Sequence, residues 1–508
     1  GLNFATPQLI PELTTLTLEL YFMFDFPRNE KGSLAPLDEI KRIGLSINRT
    51  QVNCDPINGI EGIKEPQDTF NSKIHTIGWI WNVGLSPAVP FETIQKANDD
   101  PRTIDGHEIS IYEGYYKYDY VTSITKSLTL RPHGTGGDIF IEGNNDATFS
   151  IDADEVKIDG LIISNIKEGP NQFEFLDVVK VEVLNNKITI VNNKILCNKF
   201  QNGLNIKGQL YVEGGQMGNT INKNTFLQIN TLGNARGIKM LRGYDYYIEG
   251  NTFESLAQGI FTSESKNGHI KFNNFLLVNT LLNINSSPDT WFEFNEIKNI
   301  AQNVSTIYLL KLSNNCAVWN NNIIDHDMRV LVAESKDVSI SGNKINNANN
   351  VLELELEDAH KSTIMGNNNM ILKIFSEKVL YSTGHDIQEN DECKYISLKK
   401  VANSKVINNN IKERNNYLST NPIRLESCKD ISIERNRIYD SNVSGIYAIY
   451  SGNLNIKNKN YFFRVNAPAI EITVSNSREI NTISHNRIFH NQESTGIRVT
   501  HNYSHVGI

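Results

Sequence analysis

A chain of 508 residues can hold several domains or one long repeat; with Lys plus Arg at 49 against Asp plus Glu at 57, its net charge is −8. That balance excludes the basic surface expected of a nucleic-acid binder, and no apolar run reaches the roughly 20 residues of a membrane span. The five cysteines (Cys54, Cys197, Cys316, Cys393, Cys428) are widely spaced and form no CxxC pair, so they read as small core residues rather than a disulfide framework or zinc site.

Residues 1–85 form an N-terminal region of their own. Within it, Leu16, Leu18, Leu20, Phe22, Phe24 and Phe26 alternate with Thr15, Thr17, Glu19, Tyr21, Met23 and Asp25, which predicts a long strand with one apolar face. Two uses fit it: a strand inside a small N-terminal β domain, or a strand donated to the sheet edge of a neighbouring subunit, which would make these six residues an assembly element. After Pro36, Leu37, Ile40 and Ile43 are spaced for a short amphipathic helix, so the region as a whole reads as small and α+β. The first residue is Gly1 and not Met, which leaves room for a targeting segment already removed.

Residues 86–150 lead into a different organisation. Asn occurs 10 times in residues 1–150 and 57 times in 151–508, so the composition changes near residue 150. From there an apolar residue, two or three mostly polar positions, Asn, any residue and an Ile or Phe recur. The pattern is Asn193-Lys194-Ile195, Asn224-Thr225-Phe226, Asn251-Thr252-Phe253, Asn273-Asn274-Phe275, Asn295-Glu296-Ile297 and Asn321-Asn322-Ile323. It continues at Asn343, Asn368, Asn409, Asn436, Asn460 and Asn486. Most steps are 22 to 27 residues, with one of 41 between Asn368 and Asn409. A period of this size marks a solenoid.

Between the asparagines run short alternating stretches such as His269-Ile270-Lys271-Phe272 and Asp337-Val338-Ser339-Ile340, which are strand and not helix. Leucine-rich-repeat spacing is absent, so a parallel β-helix fits better. Asn suits the turn for two reasons: it tolerates the left-handed backbone region, and its amide can bond the same amide one coil away. A stacked ladder of Asn251, Asn273, Asn295, Asn321, Asn343, Asn368, Asn409, Asn436, Asn460 and Asn486 is therefore expected.

Phe91-Glu92-Thr93-Ile94-Gln95-Lys96-Ala97, followed by Glu108-Ile109-Ser110-Ile111, Ile124-Thr125-Lys126-Ser127-Leu128 and Lys157-Ile158-Asp159-Gly160-Leu161, resembles the opening of right-handed parallel β-helices of the pectin-lyase-like superfamily. The NosD-like surface and periplasmic proteins are most similar. The resemblance covers about residues 90–508 and implies an all-β solenoid, but a superfamily that holds lyases, epimerases, tailspikes and adhesins implies no one activity. A first coil needs a cap over its core, and Phe91, Ile94 and Ala97 would form the apolar side of a short plugging helix. At ~4.8 Å per coil, thirteen to fifteen coils would give a rod of roughly 60 to 70 Å. The C-terminal end, through Thr495-Gly496-Ile497-Arg498-Val499-Thr500-His501 to Ile508, shows no capping element. Continuation of the natural chain, or self-association through the chain ends, would cover it.

Three polar constellations are candidates for chemistry. Asp325-His326-Asp327 with Arg329 is the best acid and base cluster and resembles the Asp-Pro-His element of alginate epimerases, with the Pro missing. The same offsets from the ladder Asn in the neighbouring coils carry no second acid, Lys or Arg, so a catalytic role competes with that of a solvated turn. Glu353, Glu355 and Glu357 alternate with Leu352, Leu354 and Leu356 on one strand face. By resemblance to some polysaccharide lyases that row could bind Ca²⁺, yet the preceding coil offers Leu331, Ala333 and Ser335 at equal offsets, which favours a charged solvent face and no cofactor. His485, His490, His501 and His505 cluster near the end at no metal-ligand spacing.

Two kinds of function follow. One is an extracellular or cell-surface structural protein that assembles through its ends, as a filament or adhesin subunit. The other is a carbohydrate-active protein, either an enzyme on acidic polysaccharide or a glycan-binding tailspike.

Overall fold

Alternation decides the local structure. In Leu352–Glu357 the three leucines are fully buried while Glu353, Glu355 and Glu357 face outward, and Met328–Ala333 and Ser305–Leu310 repeat the same order. The computed structural model describes residues 80–83, 91–133, 138–170, 174–181, 188–207, 219–229, 234–298, 304–347, 349–378, 380–412, 420–474, 481–489 and 496–501. The expected strand over 15–26, with Leu16, Leu18, Leu20, Phe22, Phe24 and Phe26, lies outside the described residues, as does Cys54.

The strands join into sheets of 18, 16, 10 and 4 members, and their pairings are parallel. Within a typical coil, consecutive strands belong to different sheets and pair with the equivalent strand one coil away: Ile270 lies between Ile248 and Phe292, and Phe275 between Phe253 and Ile297. The chain is thus a parallel β-helix whose core is a column of Ile, Val, Leu and Phe from every coil. A typical coil carries a first strand, the ladder Asn, a short second strand, and a third strand, as in Lys266–Lys271, Asn273, Asn274–Leu276 and Thr280–Asn285.

Ile94–Asp99 is the one α-helix among the described residues. Thr93 Oγ1 caps it by accepting the Lys96 N–H at 3.1 Å, and Ile94 and Ala97 are fully buried against the first coil. Its polar side does more than the expected plug. Gln95 Oε1 accepts the Ser123 N–H at 2.7 Å and Asn98 Oδ1 the Thr125 N–H at 3.1 Å, which satisfies donors along the open edge of Thr122–Ile124.

The asparagine ladder runs without a break from Asn193 through Asn224, Asn251, Asn273, Asn295, Asn321, Asn343, Asn367, Asn390, Asn409, Asn436 and Asn460 to Asn486. Asn295 is typical: its Nδ2 donates to Asn321 Oδ1 and to the Ile270 carbonyl, each at 3.0 Å, while its Oδ1 accepts the backbone N–H of Asn273. Two expectations are corrected here. Asn368 is not a rung; Asn367 and Asn390 are, which resolves the long step. In these coils the second strand is missing, so Asn390 is followed by Asp391 and Glu392, and the buried apolar position slips to Cys393. The left-handed residue is also not the ladder Asn but the one before it: Asn192, Lys223, Gly250, Phe272, Phe294, Asn320, Gly342 and Gly366 all have φ between 51° and 71°. The Asn therefore serves for its amide alone.

A second ladder, which the sequence reading missed, lines the opposite turn. The Ser265 N–H donates to Ser287 Oγ at 3.0 Å, and the Ser287 N–H to Ser313 Oγ at 3.5 Å. Cys197, Cys316, Cys393 and Cys428 are buried free thiols, as expected; burial pushes the Cys316 thiol up to about 12.

His385 is buried, its Nε2 2.8 Å from Ser382 Oγ. Burial first, then the nearby His360, pushes its imidazole down to about 3. The unfolded chain takes up a proton near pH 6.5, and the folded one does not until about 3. Stability present in full above pH 6.5 is therefore lost as pH falls through that window, at up to about 1.4 kcal/mol per unit. Urea unfolding at pH 7 and pH 5 is expected to differ by about 2 kcal/mol from this group, and a His385→Leu variant to show a smaller difference. An unchanged pH dependence in the variant would remove His385 as its source.

Candidate functional site

The four residues of the acid and base cluster leave the chain in different directions. Asp325 occupies a left-handed turn position (φ 58°) and is exposed. His326 is buried, with Nδ1 3.0 Å from the Ile324 carbonyl, and burial holds its imidazole below the usual range. Asp327 is a clasp between coils: its carboxylate accepts the Val351 N–H at 2.7 Å. Arg329 alone stands on the outer face of the 16-stranded sheet.

There the register corrects the offset comparison. Arg329 lies beside Glu353, Leu331 beside Glu355, and Ala333 beside Glu357, so acids do face Arg329. Counting from the ladder Asn failed because the turn before Leu352–Glu357 is two residues longer than the one before Met328–Ala333. Arg329 pairs with Glu355 and lies 3.9 Å from Glu353, and Lys373 Nζ is 2.6 Å from Glu353. The half-exposed row is an alternating ion ladder, of small worth to stability. It also occupies the cations that a uronate would need. Partial burial, then neighbouring carboxylates led by Asp358, raise the Glu357 carboxyl. Among the described residues no group of three or more His, Cys, Asp or Glu is arranged to hold a metal ion. His485 sits in a turn, and His490 and His505 lie outside the described residues.

The most distinctive surface is elsewhere, on the first sheet and its turn. Tyr247, His269 and Trp291 are register neighbours on the outer face, with ring centroids 5.1 and 4.7 Å apart. One turn position away, Phe272, Phe294 and Trp319 form a second row at 5.5 and 5.7 Å. Tyr247, Phe272, Phe294 and Trp319 are 41 to 55% exposed.

Phe272 and Phe294 hold the left-handed position (φ 55° and 54°) that other coils give to Gly250, Gly342, Gly366, Asn320, Lys223, Glu389, Arg435 or Lys459. A bulky residue there costs about 1 kcal/mol. Both rings stay about half exposed, so burial does not offset that cost. The sequence signal for these rows is an aromatic or His four residues before the ladder Asn at Tyr247, His269 and Trp291, and an aromatic one or two residues before it at Phe272, Phe294 and Trp319.

No protein-family model and no curated protein matches the chain. Solved structures similar to it include a periplasmic alginate epimerase double mutant (11% identity, TM-score 0.31, covering 61% of this chain and 77% of that one). An Azotobacter vinelandii mannuronan C-5 epimerase A-module has 11% identity, TM-score 0.30, and coverage of 77% and 90%. A surface adhesin of Streptococcus pneumoniae has 13% identity, TM-score 0.32, and coverage of 73% and 85%. The architecture is a parallel β-helix, and likeness at this level says nothing about activity.

Proposed function

We propose that this chain is an extracellular surface β-helix that binds glycans along its side without cleaving them. The observation that carries this reading is the pair of outward aromatic rows, in which Tyr247, Phe272, Phe294 and Trp319 stand 41 to 55% exposed. Aromatic rings pack well against the C–H faces of sugars, and a rigid solenoid holds them at fixed spacing. The Asp325, His326, Asp327 and Arg329 segment supports an enzyme less well, since its acid, imidazole and cation do not converge on one point.

Incubating the chain with neutral and uronate oligosaccharides, with binding read by calorimetry and products by mass spectrometry, tests the proposal. Binding with the oligosaccharide recovered intact is expected. Shortened or unsaturated products would overturn it in favour of a lyase or hydrolase, and absence of binding to every sugar at millimolar concentration would end it.

A further inference from the structure

Most ring faces in the two rows are already used, because the rings stack on one another: Tyr247 and His269 are inclined by 4°, Phe272 and Phe294 by 20°. A covered ring offers only its edge. Both rows, however, end on tryptophan. The register neighbour of Trp291 in the next coil is Ala317, followed by Ser339; that of Trp319 is Ser341. Neither Ala nor Ser can cover an indole. At the adjoining turn Gly342 (φ +63°) has no side chain, and the Asn320 amide, with the edge of Trp319 beside it, takes the space a Cβ would need. Toward the other end the rows meet Thr220, the register neighbour of Tyr247, and Gly250, which holds the turn position of Phe272, so what distinguishes the tryptophan end is the larger indole surface.

We infer that the open indole faces of Trp291 and Trp319, above a floor of Ala317, Ser339, Ser341 and Gly342, form a step that receives two sugar rings of a neutral glycan. This rests on the glycan-binding reading above. The two tryptophans are diagonal neighbours across adjacent strands, roughly 7 to 8 Å apart, so one oligosaccharide can lie across both. The serine hydroxyls and the Asn320 amide border the step and can bond sugar hydroxyls. Charge selects a neutral chain: Glu293 pairs in register with Trp319, and the whole chain carries a net −8.

Calorimetry with cellohexaose and mannohexaose, with polygalacturonate as the charged probe, tests this. Trp291→Ala and Trp319→Ala are each expected to weaken binding of the neutral hexasaccharide by roughly tenfold or more. Ala317→Phe extends the stack over Trp291 and is expected to abolish binding while urea stability is kept, whereas Tyr247→Ala, at the far end of the same row, is expected to weaken binding less than either tryptophan variant. If the wild type binds but Trp291→Ala and Ala317→Phe bind equally well, the step is wrong although glycan binding stands. Equal loss in Tyr247→Ala would move the site to the ring edges, and tighter binding of polygalacturonate would overturn the neutral selectivity. A wild type that binds no sugar at all defeats the broader reading.

Discussion

Replacing Asn390 with Ala is expected to lower the unfolding free energy by about 3 to 5 kcal/mol, and replacing Asn368 by about 1 to 2 kcal/mol. Asn390 is fully buried in the ladder. Its Nδ2 donates to the Ile364 carbonyl and Asn409 Oδ1, and its Oδ1 accepts the N–H and Nδ2 of Asn367. Ala strands the Ile364 carbonyl and the Asn367 N–H where no water reaches, each costing about 1 to 3 kcal/mol. The Asn368 side chain bonds the Ile345 N–H and carbonyl, at 2.7 and 3.2 Å, in a half-buried turn. Urea unfolding of the two variants decides the matter, and equal losses would restore Asn368 as the rung.

A methyl group added at Gly259 is expected to cost about 3 kcal/mol, and Phe275→Leu is expected to return part of it. The reason is a packing rule that recurs along the core. A Cβ at Gly203, Gly237, Gly259 or Gly445 would lie 2.9, 2.7, 2.8 or 2.9 Å from the ring of Phe226, Phe253, Phe275 or Phe462. Each core Phe that follows a ladder Asn thus fills space left by a glycine one coil earlier, and Phe226, Phe253 and Phe275 stack at 5.1 and 4.8 Å. Coils with Ile in that place have no such partner glycine. In a double-mutant cycle by chemical denaturation, the Gly259→Ala, Phe275→Leu pair should be less destabilised than the sum of the singles by about 1 kcal/mol. Strict additivity would show that the Leu281 carbonyl, also 2.8 Å away, is the whole obstacle.

The same coils show where the sequence was legible. Strands, core residues and most rungs could be read because each depends on a local property: alternation at period two, and an Asn just before an apolar residue. Asn390 was hidden because the strand that should follow it is absent, which moved its apolar marker to Cys393. The Arg329, Glu353, Glu355 and Lys373 ladder was hidden because it lies beyond a turn of variable length. The aromatic rows were countable in the sequence, but nothing local distinguishes an aromatic that packs inward, such as Phe275, from one that stands outward, such as Phe272.

By itself the sequence determined a parallel β-helix, its asparagine seam, its helical plug and its inward faces, because these follow from short-range periodicity and from the need to satisfy buried polar groups. Only the tertiary structure decided which outward side chains are neighbours. That depends on register across coils, and register is reset by every turn whose length changes. The ion ladder, the glycines opposite the phenylalanines and the two open indole faces all arise from that setting.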